Sequence, residues 1–170
     1  MNRFVLEGEL LTGVSSIDDQ HRHLFELAGL ATSSRFEHFG HDWFRETVNT
    51  LVDYTHYHFS AEEHLMRRIQ YPGFEAHRTW HDQFRLELSE FVDLARRKQE
   101  TGDLRAVLSE KVDAWLLEHI RTMDCEFAAF ALGQAPVDEL DLVDSCTLRR
   151  AGVLVAEIEG EMAVSTRNIT

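Results

Sequence analysis

The chain has 170 residues, 44% of them hydrophobic, and a formal net charge of −13. That length suits one domain with a modest appendage and a real core, while the acidic surface repels phosphate backbones and argues against nucleic-acid binding. No apolar run reaches the ~18 residues of a membrane span, no export signal opens the chain, and two cysteines are too few for a disulfide framework; the expectation is a cytoplasmic protein with no membrane insertion.

Residues 1–16 read as an irregular arm interrupted by Gly8 and Gly13, with Ser15 or Ser16 placed to cap the first helix. That helix is expected from about Asp18 to Ser33, because Ile17, His21, Leu24, Ala28 and Ala31 recur at steps of three and four. Gly40 precedes a longer helix, about His41 to Gln70, with an inner stripe of Phe44, Val48, Leu51, Thr55, His58, Glu62, Leu65 and Ile69. Tyr71-Pro72-Gly73 makes a turn, since proline cannot continue a helix. The third helix, about Phe74 to Glu100, repeats the stripe through Phe74, His77, His81, Phe84, Leu88 and Phe91. Thr101-Gly102 ends it, and Asp103 is placed to cap a fourth helix reaching about Leu132. Four amphipathic helices with short connections predict an all-α, up-down-up-down antiparallel four-helix bundle over residues 1–132. Residues 133–170 read as a C-terminal extension. A short helix is expected over 137–151, and alternating residues around Glu159-Gly160 suit a hairpin. Such a tail can pad one side, join a protein partner or a second copy, or lead towards another domain.

The informative feature is a set of polar residues on the inward stripes. His21, His58, Glu62, His77, His81, His119 and Asp124 all stand where apolar neighbours define the core side. Buried imidazoles and carboxylates are costly unless paired or bound to a metal. His58 with Glu62, and His77 with His81, are i,i+4 pairs on one helix face. His119 and Asp124 are five apart, separated by roughly 140° on an ideal helix. They can address two ions side by side, or a local bulge can bring them together. The pattern points to a two-metal site. Five imidazoles and two carboxylates without thiolate suit iron, manganese, copper or zinc. With both carboxylates and one oxide or hydroxide as bridges, a three-to-two split of the histidines leaves one ion six-coordinate and the other five-coordinate. The open position is where a small ligand binds.

The ordered pieces Ile17-Asp18-Asp19-Gln20-His21, His58-Phe59-Ser60-Ala61-Glu62-Glu63 with Met66, Tyr71-Pro72 with His77 and His81, and Trp115-Leu116 with His119-Ile120 and Asp124 together resemble the hemerythrin family in its bacterial branch. The resemblance covers about residues 11–132. It implies an oxo- or hydroxo-bridged pair of non-haem iron ions. His77, His81 and His119 would hold one and His21 and His58 the other, with Glu62 and Asp124 bridging. It also implies that dioxygen binds end-on, as peroxide, at the five-coordinate iron, in a pocket lined by Trp115, Leu116 and Ile120. Nitric oxide, azide and other small anions are further candidate ligands. The sequence departs from the pattern in two respects. Phe4 and Leu6 stand in the arm where the bacterial branch usually has tryptophan, and Arg121 stands where animal relatives carry an apolar pocket residue.

The leading expectation is therefore an oxygen-binding protein for carriage, storage or sensing. It is not an enzyme, with weak oxidase or peroxidase activity at most. The alternative is a di-iron oxidase, peroxidase or nitric-oxide-handling redox protein on the same scaffold. A histidine-rich ligand set argues against it, because oxygen-activating di-iron sites are rich in carboxylates.

Overall fold

The computed structural model describes residues 10–33, 40–97 and 101–134. Helices α1 (Ser15–Thr32), α2 (Gly40–Arg68), α3 (Phe74–Arg97) and α4 (Thr101–His119) follow in order. A π-helical turn (Ile120–Asp124) then leads into α5 (Cys125–Gln134). The flanking residues His119 and Cys125 keep right-handed helical dihedrals, so α4, the π turn and α5 form one rod. α1 packs on α2 and α4, and α3 packs on α2 and α4, which closes the four-helix bundle. No strand occurs among the described residues. No helix there is long and apolar enough to cross a membrane. The arm residues Phe4 and Leu6, and the helix and hairpin expected over 137–166, lie outside the described residues.

The helix ends follow local chemistry. Val14, rather than Ser15 or Ser16, occupies the cap position of α1, and no side-chain cap bond forms there. The Asp18 carboxylate instead reaches back to the arm. Oδ1 accepts from the Thr12 amide and hydroxyl, both at 2.8 Å, and Oδ2 accepts from the Gly13 amide at 3.2 Å. Gly13, at φ +81°, supplies the left-handed kink that presents these donors. Thr101 is already helical, so Thr101-Gly102 and Asp103 lie within α4 rather than ending α3 and capping α4. α2 stops at Arg68 because Gln70 turns left-handed, at φ +56°. The Tyr71 amide then donates to the Met66 carbonyl and the Gln70 amide to the Arg67 carbonyl, the bond pattern of a Schellman motif. Tyr71 and Met66 share one buried cluster, the apolar contact that accompanies this motif.

Two apolar clusters fill the interior. One is built from residues such as Leu24, Leu51, Phe84, Leu88, Leu116 and Ile120. The other, at the opposite end, comprises Val14, Ile17, Leu65, Met66, Tyr71, Phe127, Ala128 and Ala131. In α1, His21 falls between Ile17 of one cluster and Leu24 of the other. In α2, His58 and Glu62 fall between Leu51 and Leu65, and Asp124 falls between Ile120 and Phe127 in the fourth rod. A polar layer is thus sealed between two dry ones.

Candidate metal centre

All seven polar residues of that layer have no solvent exposure. Their ligand atoms form two groups, in each of which the atoms lie within 4.8 Å of one another: Glu62, His77, His81, His119 and Asp124; and His21, His58, Glu62 and Asp124. The two carboxylates belong to both. Asp124 turns Oδ1 to His77 and His119, at 3.1 and 3.0 Å from their Nε2 atoms, and Oδ2 to His21 Nε2 at 3.0 Å. Glu62 sets Oε2 at 3.4 Å from His81 Nε2 and 3.7 Å from the Nε2 atoms of His58 and His77; Oε1 lies 4.0 Å from His21. Each carboxylate therefore spans the two groups.

The π turn makes this possible. An i→i+5 turn takes up one extra residue, and it lies between the two members of the pair at five-residue spacing. Of the two options open for His119 and Asp124, the local bulge is present. Asp124 still faces both groups.

The donor atoms fit a metal better than they fit one another. His119 Nε2 lies 3.1 Å from His77 Nε2 and 3.0 Å from His81 Nε2. A neutral imidazole has one N–H, so three converging nitrogens cannot satisfy each other. Neither oxygen of Glu62 or Asp124 has a hydrogen-bond partner despite the short contacts, and the Nε2 atoms of His21 and His58 have none. Donors about 2.1 Å from one ion at right angles are separated by roughly 3.0 Å, against about 3.4 Å for tetrahedral angles. The 3.0–3.1 Å spacings from His119 to His77, His81 and Asp124 match the right-angled set, while Glu62 Oε2 stands further off, at 3.4–3.7 Å.

The family model described as the hemerythrin HHE cation binding domain matches residues 12–131. The chain belongs to the hemerythrin family. Its relatives include the bacteriohemerythrin of Pseudomonas paraeruginosa, 33% identical over 128 residues that cover 75% of this chain and 80% of that protein. The bacteriohemerythrin of Clostridium acetobutylicum is 29% identical over 130 residues, covering 73% and 98%. Hemerythrin subunit 1 of Golfingia vulgaris is 27% identical over 124 residues, covering 73% and 90%. No solved structure matches the chain.

Around this hemerythrin-family layer stand residues whose roles the sequence alone does not reveal. His58 Nδ1 donates to Gln20 Oε1 at 2.9 Å, and His81 Nδ1 donates to Glu63 Oε1 at 3.1 Å. Such bonds fix which nitrogen faces the site and hold the ring in place. Gln20 and Glu63 adjoin His21 and Glu62 within the motif pieces quoted above, which marked their positions but not their contacts. Phe59 stacks on His81, with centroids 3.8 Å apart and planes at 5°, and Trp115 stacks on His119 at 4.3 Å and 14°. Of the expected pocket residues, Trp115 and Leu116 line a narrow apolar cavity with Thr55, Phe59, Phe84 and Val112, while Ile120 packs into the core without lining it. Arg121 is exposed, so its charge stays out of the interior.

Burial sets the protonation states. It lowers the imidazoles of His58, His81 and His119, His81 to about 3, which keeps them neutral near pH 7 and able to ligate. Burial, reinforced by Asp124, raises Glu62 well above the usual carboxylate range. For Asp124, burial pulls upward but is outweighed by His119 and by contacts from His21 and His77, so it stays well below that range. Glu63 likewise overcomes its burial through hydrogen bonds from His81 and Arg85 and is held down to about 2.

Proposed function

We propose that this chain is an oxygen-binding protein with two iron ions, used for carriage, storage or sensing. The observation that carries the reading is the pair of donor groups that share Glu62 and Asp124. His77, His81 and His119 would hold one ion and His21 and His58 the other, with both carboxylates bridging. The two-histidine side has one protein donor fewer, which leaves room for a small exogenous ligand there. The bacterial and animal relatives named above support the family chemistry. When bound, the iron pair supplies the two-electron chemistry that holds dioxygen reversibly.

The protein residues supply the conditions for that reversibility. Apolar packing on both sides of the layer keeps water and protons away from the bound ligand. The stacked rings of Phe59 and Trp115 prevent two of the imidazoles from rotating out of register. The narrow cavity beside Trp115 and Leu116 is lined almost wholly by apolar side chains, with Thr55 its one polar residue, and so offers water few partners. We read residues 133–170 as a C-terminal extension that favours sensing, since a pure carrier needs none.

Iron-loaded, anaerobically reduced protein exposed to air should develop a visible absorption band that bleaches under vacuum and returns over repeated cycles. Immediate, irreversible conversion to the oxidised form would reject oxygen carriage and favour the oxidase reading.

A further inference from the structure

Two of the candidate ligands have an Nδ1 held by a side-chain acceptor, and those acceptors differ in charge. His58 rests on the neutral amide of Gln20, His81 on the carboxylate of Glu63. Glu63 is itself held. Arg85 Nη2 donates to the same Oε1 at 2.8 Å, while Arg67 lies 3.5 Å from Oε2. Arg67 is 55% exposed and strongly screened, whereas Arg85 is 22% exposed. Arg85 is fixed from two further directions. Its Nη1 donates to Asp82 Oδ1 at 2.8 Å, and its guanidinium lies 5.1 Å over the ring of Phe59, the ring that stacks on His81. One arginine thus touches both groups that hold His81 and no candidate ligand itself.

We propose that Glu63 and Arg85 are positioning residues that form a charge-balancing pair setting the redox poise of the ion held by His77, His81 and His119. The inference rests on the di-iron reading. Oxidation adds one positive charge to the ion. An anion hydrogen-bonded to its imidazole ligand favours that state by making the ring a stronger donor. A guanidinium on the same carboxylate restrains the push. Removing either partner therefore shifts the balance in opposite directions, which loosened packing would not do. His58 rests on the neutral amide of Gln20, so the hydrogen-bonded push of an anion on a ligand ring acts on the His81 side.

The test is a mediated potentiometric titration of iron-loaded protein, each oxidation passing one electron from the ion to a mediator dye. One charge roughly 10 Å away in an effective dielectric of ~20 is worth on the order of tenfold in the oxidised-to-reduced ratio, or about 59 mV. Arg85→Gln should raise that ratio about tenfold at fixed potential, and Glu63→Gln should lower it about tenfold. Arg85→Lys should stay within about twofold of wild type, and the double Arg85→Gln, Glu63→Gln variant within about threefold. Shifts of the same sign in both single variants, or none in either, overturn the proposal while wild type still holds two irons. Wild-type protein that holds no iron overturns the di-iron reading itself. If Arg85→Gln fails to fold, Glu63→Gln and Arg85→Lys decide: an unshifted Glu63→Gln, or a large shift in Arg85→Lys, overturns it.

Discussion

His119 Nε2 and Asp124 Oδ1 lie 3.0 Å apart although the residues are five positions apart, because the chain from Ile120 to Asp124 is a π turn. A regular helix would set the pair roughly 140° apart. The turn behaves as an α-helix with one residue inserted. Thr122 is exposed, and its hydroxyl donates only locally, to the Glu118 carbonyl, so it is the residue best removed.

Deleting Thr122 should restore a regular helix in which the histidine and aspartate stand at i,i+4, again on one face. Circular dichroism should show helix content unchanged from wild type, and metal analysis should show that iron is retained. An unfolded variant, or one with a normal fold but no iron, would mean that the bulge does more than accommodate a residue.

Asp18 is the tether of the arm to α1 through three hydrogen bonds. Asp18→Ala leaves the Thr12 and Gly13 donors without that acceptor and should cost about 1–3 kcal/mol in chemical denaturation. Iron content should not change, since Asp18 touches none of the seven. Iron loss at unchanged stability would give Asp18 a role in the site instead.

The bundle and the polar layer were legible in the chain because both follow from helical periodicity. The apolar stripes defined an inside, and His21, His58, Glu62, His77, His81, His119 and Asp124 fell on it. What was not legible depends on contacts between helices or on backbone dihedrals. Arg85 stands four residues after His81, but nothing in the sequence says that it crosses to Glu63 on α2. The five-residue gap between His119 and Asp124 was visible as an anomaly, with two solutions open. Ser15 and Ser16 looked like caps but are the first residues of α1, and the Asp18 carboxylate bonds the arm instead. Gln70 takes a left-handed conformation normally left to glycine, and only the hydrogen bonds of Tyr71 and Gln70 account for it.

Metal-free protein should lose stability as pH falls. His58, His81 and His119 have folded-state values below 6.5, so from about pH 6.5 downwards the unfolded chain binds protons that the fold excludes. Glu62, raised by burial, opposes this because the fold holds its proton more tightly. Three histidines against one carboxylate leave the net sign negative. Below about pH 4.5 the lowered Glu63 and Asp124 add to the loss as the pH falls towards their folded-state values. The urea midpoint of metal-free protein should therefore drop between pH 7.5 and 5. A flat or rising midpoint would contradict the buried, neutral imidazoles.

The central claim is that one layer of seven side chains holds two ions through shared carboxylates. Iron per chain in anaerobically loaded wild-type protein, measured beside Glu62→Ala, tests it most directly. Two irons in wild type and loss of the pair in Glu62→Ala are predicted. One iron or none in wild type, or two retained without Glu62, would contradict it.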